Sequence, residues 1–245
     1  MLKIFEKLFN TLFVDKYNCL ICGAEIKPND FCMCDKCKNA MPYNVVYCNK
    51  CGCYNNNESE YCLYCQNNIR HFTMARSPFV YKDGAKKLVI NLKFYNQKFL
   101  AKYMAKSMAN CYFSNNFNCN LIVPVPLSIQ RKKVRGYNQA EELAKHISKI
   151  LNLHLETTNL VKIKNNTPQS SLSAFERKEN VAGAYKVLDK KPFEGKTILL
   201  VDDVFTTGTT CDEICQTLLK AGAKEVFILT FVSAKYELPL EKITS

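Results

Sequence analysis

Runs of apolar residues predict a set of buried strands in the second half of the chain. Thr197 to Val201 is β-branched and aliphatic without alternation, which is typical of a strand covered on both faces in a parallel sheet. Leu121 to Val125 and Glu225 to Val232 have the same character, and Ala184 to Val187 predicts a shorter strand. We therefore expect an α/β fold built on a parallel sheet of about five strands.

Helical periodicity occupies several of the intervals between these strands. The apolar positions of residues 85–94 and 99–109 recur at helical spacing, and so do those around Leu143. Residues 72–81 alternate instead, which predicts a strand that ends at a turn around residues 83–84.

The first 18 residues predict an amphipathic helix. Its apolar face would hold Ile4, Phe5, Leu8, Phe9, Leu12 and Phe13. The segment lacks the continuous apolar region and the cleavage site of a secretory signal. We expect it to pack on its own protein, and its near-neutral polar face disfavours the alternative of a helix resting on a membrane. No apolar run approaches the roughly 20 residues of a membrane-spanning helix, so we expect a cytoplasmic protein without a membrane span.

Four CxxC pairs follow this helix, and they form a repeat. The pairs are Cys19/Cys22, Cys34/Cys37, Cys48/Cys51 and Cys62/Cys65. The step from Cys19 to Cys48 is 29 residues, and the step from Cys34 to Cys62 is 28. A glycine follows the second cysteine of each leading pair, where a metal knuckle needs unusual backbone dihedrals. Each copy therefore supplies the four thiolates of a closed structural zinc site.

The repeat favours one zinc ion per copy. The first set would be Cys19, Cys22, Cys34 and Cys37, and the second Cys48, Cys51, Cys62 and Cys65. A cross-braced pairing of alternate pairs is one alternative, and an iron–sulfur cluster is another, which the absence of a cluster-type cysteine run disfavours. Cys32 and Cys53 lie outside the repeat, although Cys32 could replace Cys34. The predicted organisation is a helix at 1–18, a double zinc ribbon at 19–67 and an α/β domain at 68–245.

A loop of small residues follows the Thr197 strand and opens a helix. The strand stops at Asp202 and Asp203, which we expect at its carboxyl end, where open α/β sheets bind ligands. The loop residues are Thr206, Thr207, Gly208, Thr209 and Thr210. Their N–H groups and hydroxyls, together with the helix dipole, suit a phosphate, and the two carboxylates suit the vicinal hydroxyls of a ribose.

Three other interpretations of this loop are weaker. A phospho-accepting receiver domain has its acid pair near the start of the domain, and a P-loop would need a lysine that is missing here. The third alternative is an ordinary strand that ends in solvated acids and a threonine-rich turn.

The segment Val201 to Thr210 resembles the phosphoribosyl pyrophosphate (PRPP) loop of type I phosphoribosyltransferases. Two more features narrow the match: the Val-Pro-Val-Pro run at residues 123–126 with Arg131 and the run Arg135 to Gln139 after it, and the cysteine-rich front end. Together they resemble the ComF family of competence-associated, phosphoribosyltransferase-like proteins, over essentially the whole chain after the first helix. The fold implied is a type I phosphoribosyltransferase-like parallel sheet flanked by helices, behind a double zinc ribbon.

The resemblance also implies roles for the site residues. Asp202 and Asp203 would be the catalytic acids beneath the ribose of PRPP, residues 206–210 would hold its 5-phosphate, and Mg²⁺ would accompany it. Residues 125–138 would be the pyrophosphate loop, which carries Arg131, Lys132, Lys133 and Arg135. The two arginines are the expected pyrophosphate ligands, because a guanidinium fork matches phosphate oxygens.

A mostly polar stretch at residues 162–180 matches the flexible lid of phosphoribosyltransferases in position. By resemblance, Gln169 and Arg177 belong to that lid, and Arg177 would move towards the diphosphate on closure. Lys93, followed by two aromatic residues, is a weaker candidate for ligand contact.

The chain carries 34 Lys and Arg against 22 Asp and Glu, a net charge of +12. This excess suits phosphorylated ligands, nucleic acid or an acidic membrane surface, and it does not distinguish among them. Two hypotheses stay open. The protein is an enzyme that transfers phosphoribose to an unidentified acceptor, or it is a non-catalytic factor of DNA uptake in which PRPP is regulatory. The resemblance implies single-stranded DNA and a helicase-like protein as partners.

Overall fold

Two short cysteine-bearing units form the N-terminal part of the described chain. The computed structural model of the protein describes residues 17–55, 59–164 and 181–234. The regular elements of the two units are β1 (Tyr17–Asn18), β2 (Glu25–Ile26), α1 (Asp35–Asn39) and α2 (Leu63–Asn67). Strands β1 and β2 pair antiparallel, and the second unit has a single bridge between Tyr47 and Tyr54. Gly23 and Gly52 adopt φ angles of +78° and +67°, as the metal-knuckle interpretation requires.

A parallel sheet forms the centre of the protein. The remaining strands are β3 (Met74–Arg76), β4 (Phe79–Val80), β5 (Leu121–Pro124), β6 (His154–Leu155), β7 (Leu160–Lys162), β8 (Tyr185–Val187), β9 (Thr197–Phe205) and β10 (Glu225–Ser233). The main sheet has the order β3, β10, β9, β5, β6 with every pair parallel, and β4 pairs with β10 beside β3. Strands β7 and β8 form a separate antiparallel pair. The expected α/β fold with a parallel sheet is confirmed.

Helices cover both faces of this sheet. They are α3 (Asp83–Phe94), α4 (Leu100–Ser114), α5 (Ile129–Arg135), α6 (Gln139–Leu151) and α7 (Thr209–Lys220). Leu199 and Val201 of β9 pack into a core with α3, α4 and α6, whereas Ile198 and Leu200 belong to a second core with α7. Burial of both sets explains why the apolar residues of β9 do not alternate with polar ones. Each such side chain contributes about 1.5–3 kcal/mol to stability.

The second cysteine unit, which carries Cys48, Cys51, Cys62 and Cys65, is part of the core on the α7 side. Its buried members are Cys48, Cys51, Cys53 and Cys62. Gly52 lies so close to β3 that a Cβ there would overlap the carbonyl of Ala75. The amide of Asn44 donates to the carbonyl of Gly52 at 2.7 Å and to the hydroxyl of Ser233 at 3.2 Å. The unit is thus held to the sheet by both packing and hydrogen bonds.

The element bounds differ from expectation in three places. The single strand predicted at residues 72–81 is split into β3 and β4. The turn predicted at residues 83–84 is the start of α3, where Asp83 has a φ angle of 44°. Strand β9 continues through the two acids to Phe205, because its partner β10 also continues alongside.

Two predicted segments lie largely or wholly outside the described residues. These are the N-terminal helix at 1–18, whose only described residues, Tyr17 and Asn18, form strand β1 and not helix, and the lid with Gln169 and Arg177. Within the described ranges, no helix has the length and apolar character needed to cross a membrane.

Candidate functional site

A pocket with a volume of about 360 Å³ opens at the carboxyl ends of β5 and β9. Polar side chains of its wall include Lys93, Arg131, Arg135, Asn138, Gln139, Lys162, Tyr185, Asp202, Asp203, Thr206 and Thr210. The structure therefore brings the two predicted acids, both predicted arginines and part of the threonine loop to one place. This is the edge at which open parallel sheets bind ligands.

The two adjacent acids occupy different environments. Asp203 is buried, and its carboxylate lies 2.8 Å from the ammonium of Lys93, which reaches the pocket from α3. The contact lacks hydrogen-bond alignment, so it acts through charge. The carboxylate of Asp202 accepts a hydrogen bond from the backbone N–H of Asp203 at 2.8 Å. Burial, followed by the charge of Asp203, raises the pKa of Asp202 to about 8.

This arrangement leaves the acid pair short of positive charge. Lys93 neutralises the carboxylate of Asp203. Among the described residues no second cation pairs with Asp202, whose pKa is raised by burial and by the charge of Asp203. A divalent cation or hydroxyl donors beside Asp202 would favour its ionised form. The acid pair therefore fits a ligand that brings Mg²⁺ and a ribose to it.

The threonine loop divides into residues that face the pocket and residues that brace it. Thr206, Gly208 and Thr210 line the pocket, whereas the hydroxyls of Thr207 and Thr209 lie 2.8 Å apart and bond to each other. Gly208 is the N-cap of α7 with a φ angle of +73°, and a Cβ there would overlap the ring of Phe205. Only glycine satisfies both conditions at this position.

The basic loop after β5 contains the short helix α5, and only some of its cations face the pocket. The hydroxyl of Ser128 accepts from the backbone N–H of Arg131 and caps the helix. Arg131 and Arg135 line the pocket, and the guanidinium of Arg135 lies 5.2 Å from the ring centroid of Phe94. Lys132 turns away and lies 3.4 Å from Glu141. Two planar cations thus remain available to an anion in the pocket.

Sequence reasoning did not single out every residue of the pocket wall. Lys162 and Tyr185 come from the paired strands β7 and β8. Burial and the charge of Arg131 lower the pKa of Lys162, whereas burial and the charge of Asp202 raise the pKa of Tyr185. The sequence signal for Lys162 is its position at the end of the short apolar run Leu160-Val161, although the lid predicted at residues 162–180 includes it.

The eight paired cysteines form two clusters outside the pocket. Each cluster contains the four residues of one sequence copy, with ligand atoms within 4.8 Å of one another. The grouping is that of the tandem arrangement and not of the cross-braced one. Tetrahedral zinc with Zn–S bonds of about 2.3 Å places its sulfurs about 3.8 Å apart. The sulfurs of Cys22 and Cys34 are 3.8 Å apart, and those of Cys51 and Cys62 are 3.7 Å apart. Both clusters therefore fit structural zinc.

The cysteines outside the repeat have other partners. Cys32 donates to the carbonyl of Asn18 at 3.6 Å and leaves Cys34 in the first cluster. Cys53 donates to the carbonyl of Thr206 in the threonine loop, also at 3.6 Å. Cys211, at the start of α7, lines the pocket, and burial raises the pKa of its thiol.

Sequence comparisons find relatives across most of the chain. A protein-family model of the phosphoribosyl transferase domain matches residues 135–243. Competence protein F of Haemophilus influenzae is 28% identical over 217 residues, which are 86% of this chain and 94% of that protein. DNA utilization protein YhgH of Salmonella typhi is 28% identical, covering 85% and 93%. Competence protein ComFC of Bacillus subtilis is 26% identical, covering 85% and 80%.

Among solved structures, glutamine PRPP amidotransferase from B. subtilis is similar to 57% of this chain with 17% identity and a TM-score of 0.40. The aligned part is 30% of that longer chain. At this score the likeness carries no argument by itself, and the fold rests on the strand order and the family match.

Proposed function

The chain belongs to the ComF family of phosphoribosyltransferase-like proteins, and from this premise we propose that its pocket binds PRPP together with Mg²⁺. The observation that carries the proposal is the convergence of three groups on a single cavity. An acid pair, a threonine–glycine loop at a helix start and two arginines line it together. These groups match, in order, a ribose, a monophosphate and a pyrophosphate.

Each group has a role in binding. Asp202 and Asp203 accept hydrogen bonds from the ribose hydroxyls, and the loop N–H groups and hydroxyls of Thr206 and Thr210 donate to the 5-phosphate. Arg131 and Arg135 bind the pyrophosphate. Asp202 and Asp203 would hold Mg²⁺ through the ligand, and the ion would supply positive charge that offsets the charge of the pyrophosphate.

The same arrangement suits departure of pyrophosphate from the anomeric carbon. When the bond from that carbon to the pyrophosphate oxygen breaks, the electron pair leaves with pyrophosphate and positive charge develops on the sugar. The carboxylates beneath the ribose stabilise the sugar, and Arg131 and Arg135 stabilise the leaving group. In the catalytic form of the proposal, an acceptor then bonds to the anomeric carbon and completes phosphoribosyl transfer. The described pocket wall does not identify that acceptor.

The second part of the proposal concerns DNA. Relatives bear the names competence protein F and DNA utilization protein, and the net charge of +12 favours contact with polyanions. We propose that the protein acts in DNA uptake, with single-stranded DNA and a helicase-like protein as partners. In the alternative to catalysis, PRPP binding regulates that process and no transfer occurs.

Paired variants of the acid site separate these possibilities. Asp202→Asn and Asp203→Asn should abolish PRPP binding, whereas Asp189→Asn, an exposed acid on the surface, should leave it unchanged. Each variant is then measured for DNA uptake in the host. Lost PRPP binding with normal uptake would remove the ligand site from the biological role. Pyrophosphate release from PRPP that depends on an added nucleophile would establish the transferase.

A further inference from the structure

Cys53 of the second cysteine unit and Arg70, which follows that unit, donate hydrogen bonds to consecutive carbonyls of the threonine loop. The thiol of Cys53 donates to the carbonyl of Thr206 at 3.6 Å. The Nη2 group of Arg70 donates to the carbonyl of Thr207 at 2.6 Å. Cys53 is not a member of the cysteine cluster, so its thiol hydrogen is available for this bond.

The position of Arg70 is fixed by the cysteine unit. Its guanidinium lies 4.2 Å from the ring centroid of Tyr64, and Tyr64 stands between the cluster residues Cys62 and Cys65. The guanidinium also lies 5.6 Å from the ring centroid of Phe72. The Nε atom of Arg70 is buried without a partner in the described structure. A buried N–H group without an acceptor costs free energy, and we attribute its presence here to the hydrogen bond that the same guanidinium donates to the loop.

The next residue extends the same contact to the helix behind the loop. The backbone N–H of His71 donates to the carboxylate of Asp212 at 2.7 Å, and its Nδ1 atom lies 3.0 Å from the other carboxylate oxygen. Asp212 is in the first turn of α7, which the loop opens. The segment after the cysteine unit therefore holds both the loop and the helix start.

These contacts determine where the loop N–H groups point. In a trans peptide the carbonyl of one residue and the N–H of the next lie in the same plane and point in opposite directions. Holding the carbonyl of Thr206 towards Cys53 and that of Thr207 towards Arg70 directs the N–H groups of Thr207 and Gly208 the other way. Because Thr206 and Gly208 line the pocket, that direction presents donors to an anion.

We infer that Arg70 and Cys53 are positioning residues for the phosphate loop, and that the metal site of the second cysteine unit and this loop form one energetic unit. Metal at Cys48, Cys51, Cys62 and Cys65 fixes Tyr64 and Arg70, and through them the loop. By thermodynamic reciprocity, a ligand on the loop strengthens metal retention at this site. The identity of that ligand as PRPP rests on the proposed function, but the positioning of the loop does not.

The first test uses amide hydrogen exchange of the zinc-loaded protein in inorganic phosphate, whose oxygens would protect the loop N–H groups that face the pocket. Arg70→Met should raise exchange at residues 206–210 about tenfold or more, since hydrogen bonds from charged groups are worth about 1.5–3 kcal/mol. Arg70→Lys should give a smaller increase and guards against a variant that fails to fold. The matched control is Arg76→Met: Arg76 is buried, donates to the carbonyl of Asn49 in the same unit at 3.0 Å and, among the described residues, forms no hydrogen bond with the loop. Equal exchange at 206–210 in Arg70→Met and Arg76→Met would overturn the inference.

The second test compares the two metal sites. Cys65→Ser, in the second cluster, should raise exchange at residues 206–210, whereas Cys37→Ser, in the first cluster, should not. Zinc release to a chromogenic chelator should be slowed by PRPP for the second site alone, and Arg70→Met should remove the difference. Unchanged loop exchange in Cys65→Ser would overturn the coupling. If the wild-type protein binds no PRPP but the exchange differences remain, the proposed function fails and the positioning inference stands.

Discussion

Asp202 gives the most distinctive stability prediction, because its carboxyl is a proposed ribose ligand whose ionised form opposes folding. Its pKa is raised from an ordinary value of 3.8 to about 8, chiefly by burial. A raised acid pKa means that the folded state binds the proton more tightly than the unfolded state. The associated stability is fully present below about pH 4 and is lost as the pH rises towards 8. We therefore expect Asp202→Asn to stabilise the ligand-free, Mg²⁺-free protein at pH 8.

The magnitude follows from the size of the pKa shift. A shift of about four units corresponds to an upper limit of roughly 5–6 kcal/mol, at about 1.4 kcal/mol per unit. The carboxyl of Asp202 faces a pocket that admits water, which reduces the effect to about 1–3 kcal/mol. For a chain of this length, about 1 kcal/mol raises Tm by roughly 2–4 °C. The amide of asparagine can keep the acceptor for the backbone N–H of Asp203, so no hydrogen bond need be lost.

Thermal unfolding between pH 5 and pH 8 tests this prediction. The Tm of Asp202→Asn should exceed that of wild type by several degrees at pH 8, and the difference should shrink towards pH 5. Asp203→Asn is the matched control and should lower Tm, because it leaves Lys93 without its 2.8 Å partner. A lower Tm for Asp202→Asn at pH 8, or a difference that does not change with pH, would refute the reasoning about the acid pair.

Three further predictions concern the pocket and the metal sites. Arg131→Lys should weaken PRPP binding about 10- to 100-fold and leave ribose 5-phosphate affinity nearly unchanged, because the lost bidentate contact is to pyrophosphate; titrating both ligands checks this, and an equal loss for the two would place Arg131 elsewhere. Gly208→Ala should lower stability by about 1–3 kcal/mol in denaturant unfolding, because the residue has a φ angle of +73° and a Cβ would overlap Phe205; wild-type stability would contradict that geometry. Metal analysis should find two zinc ions per chain, and chelation should unfold the cysteine units as followed by circular dichroism; a folded chelated protein would exclude structural zinc.

The features that sequence predicted best depend on local pattern. The unbroken apolar run of β9 required a strand with both faces covered, and the sheet provides helices on each side. The 28- and 29-residue steps between cysteine pairs favoured the tandem clusters, because a repeated unit folds the same way twice. Bounds were less predictable, since β9 continues past the first acid only because β10 lies alongside it.

The features that sequence missed depend on contacts between distant segments. Lys93 and Asp203 are 110 positions apart, and nothing in either neighbourhood identifies the other as its partner. Cys53 looked like a spare cysteine because its partner, Thr206, belongs to another part of the fold. Lys162 looked like part of a polar loop, although its position at the end of β7 places it in the pocket. Such contacts become visible only once the sheet brings the segments together.

The central claim is that the pocket at the end of β9 binds PRPP with Mg²⁺, and calorimetric titration of the zinc-loaded protein with PRPP tests it most directly. The account predicts saturable binding of one PRPP per chain with Mg²⁺, and much weaker binding without it. No binding of PRPP to the folded protein in the presence of Mg²⁺ would contradict the account and leave the pocket without its proposed ligand.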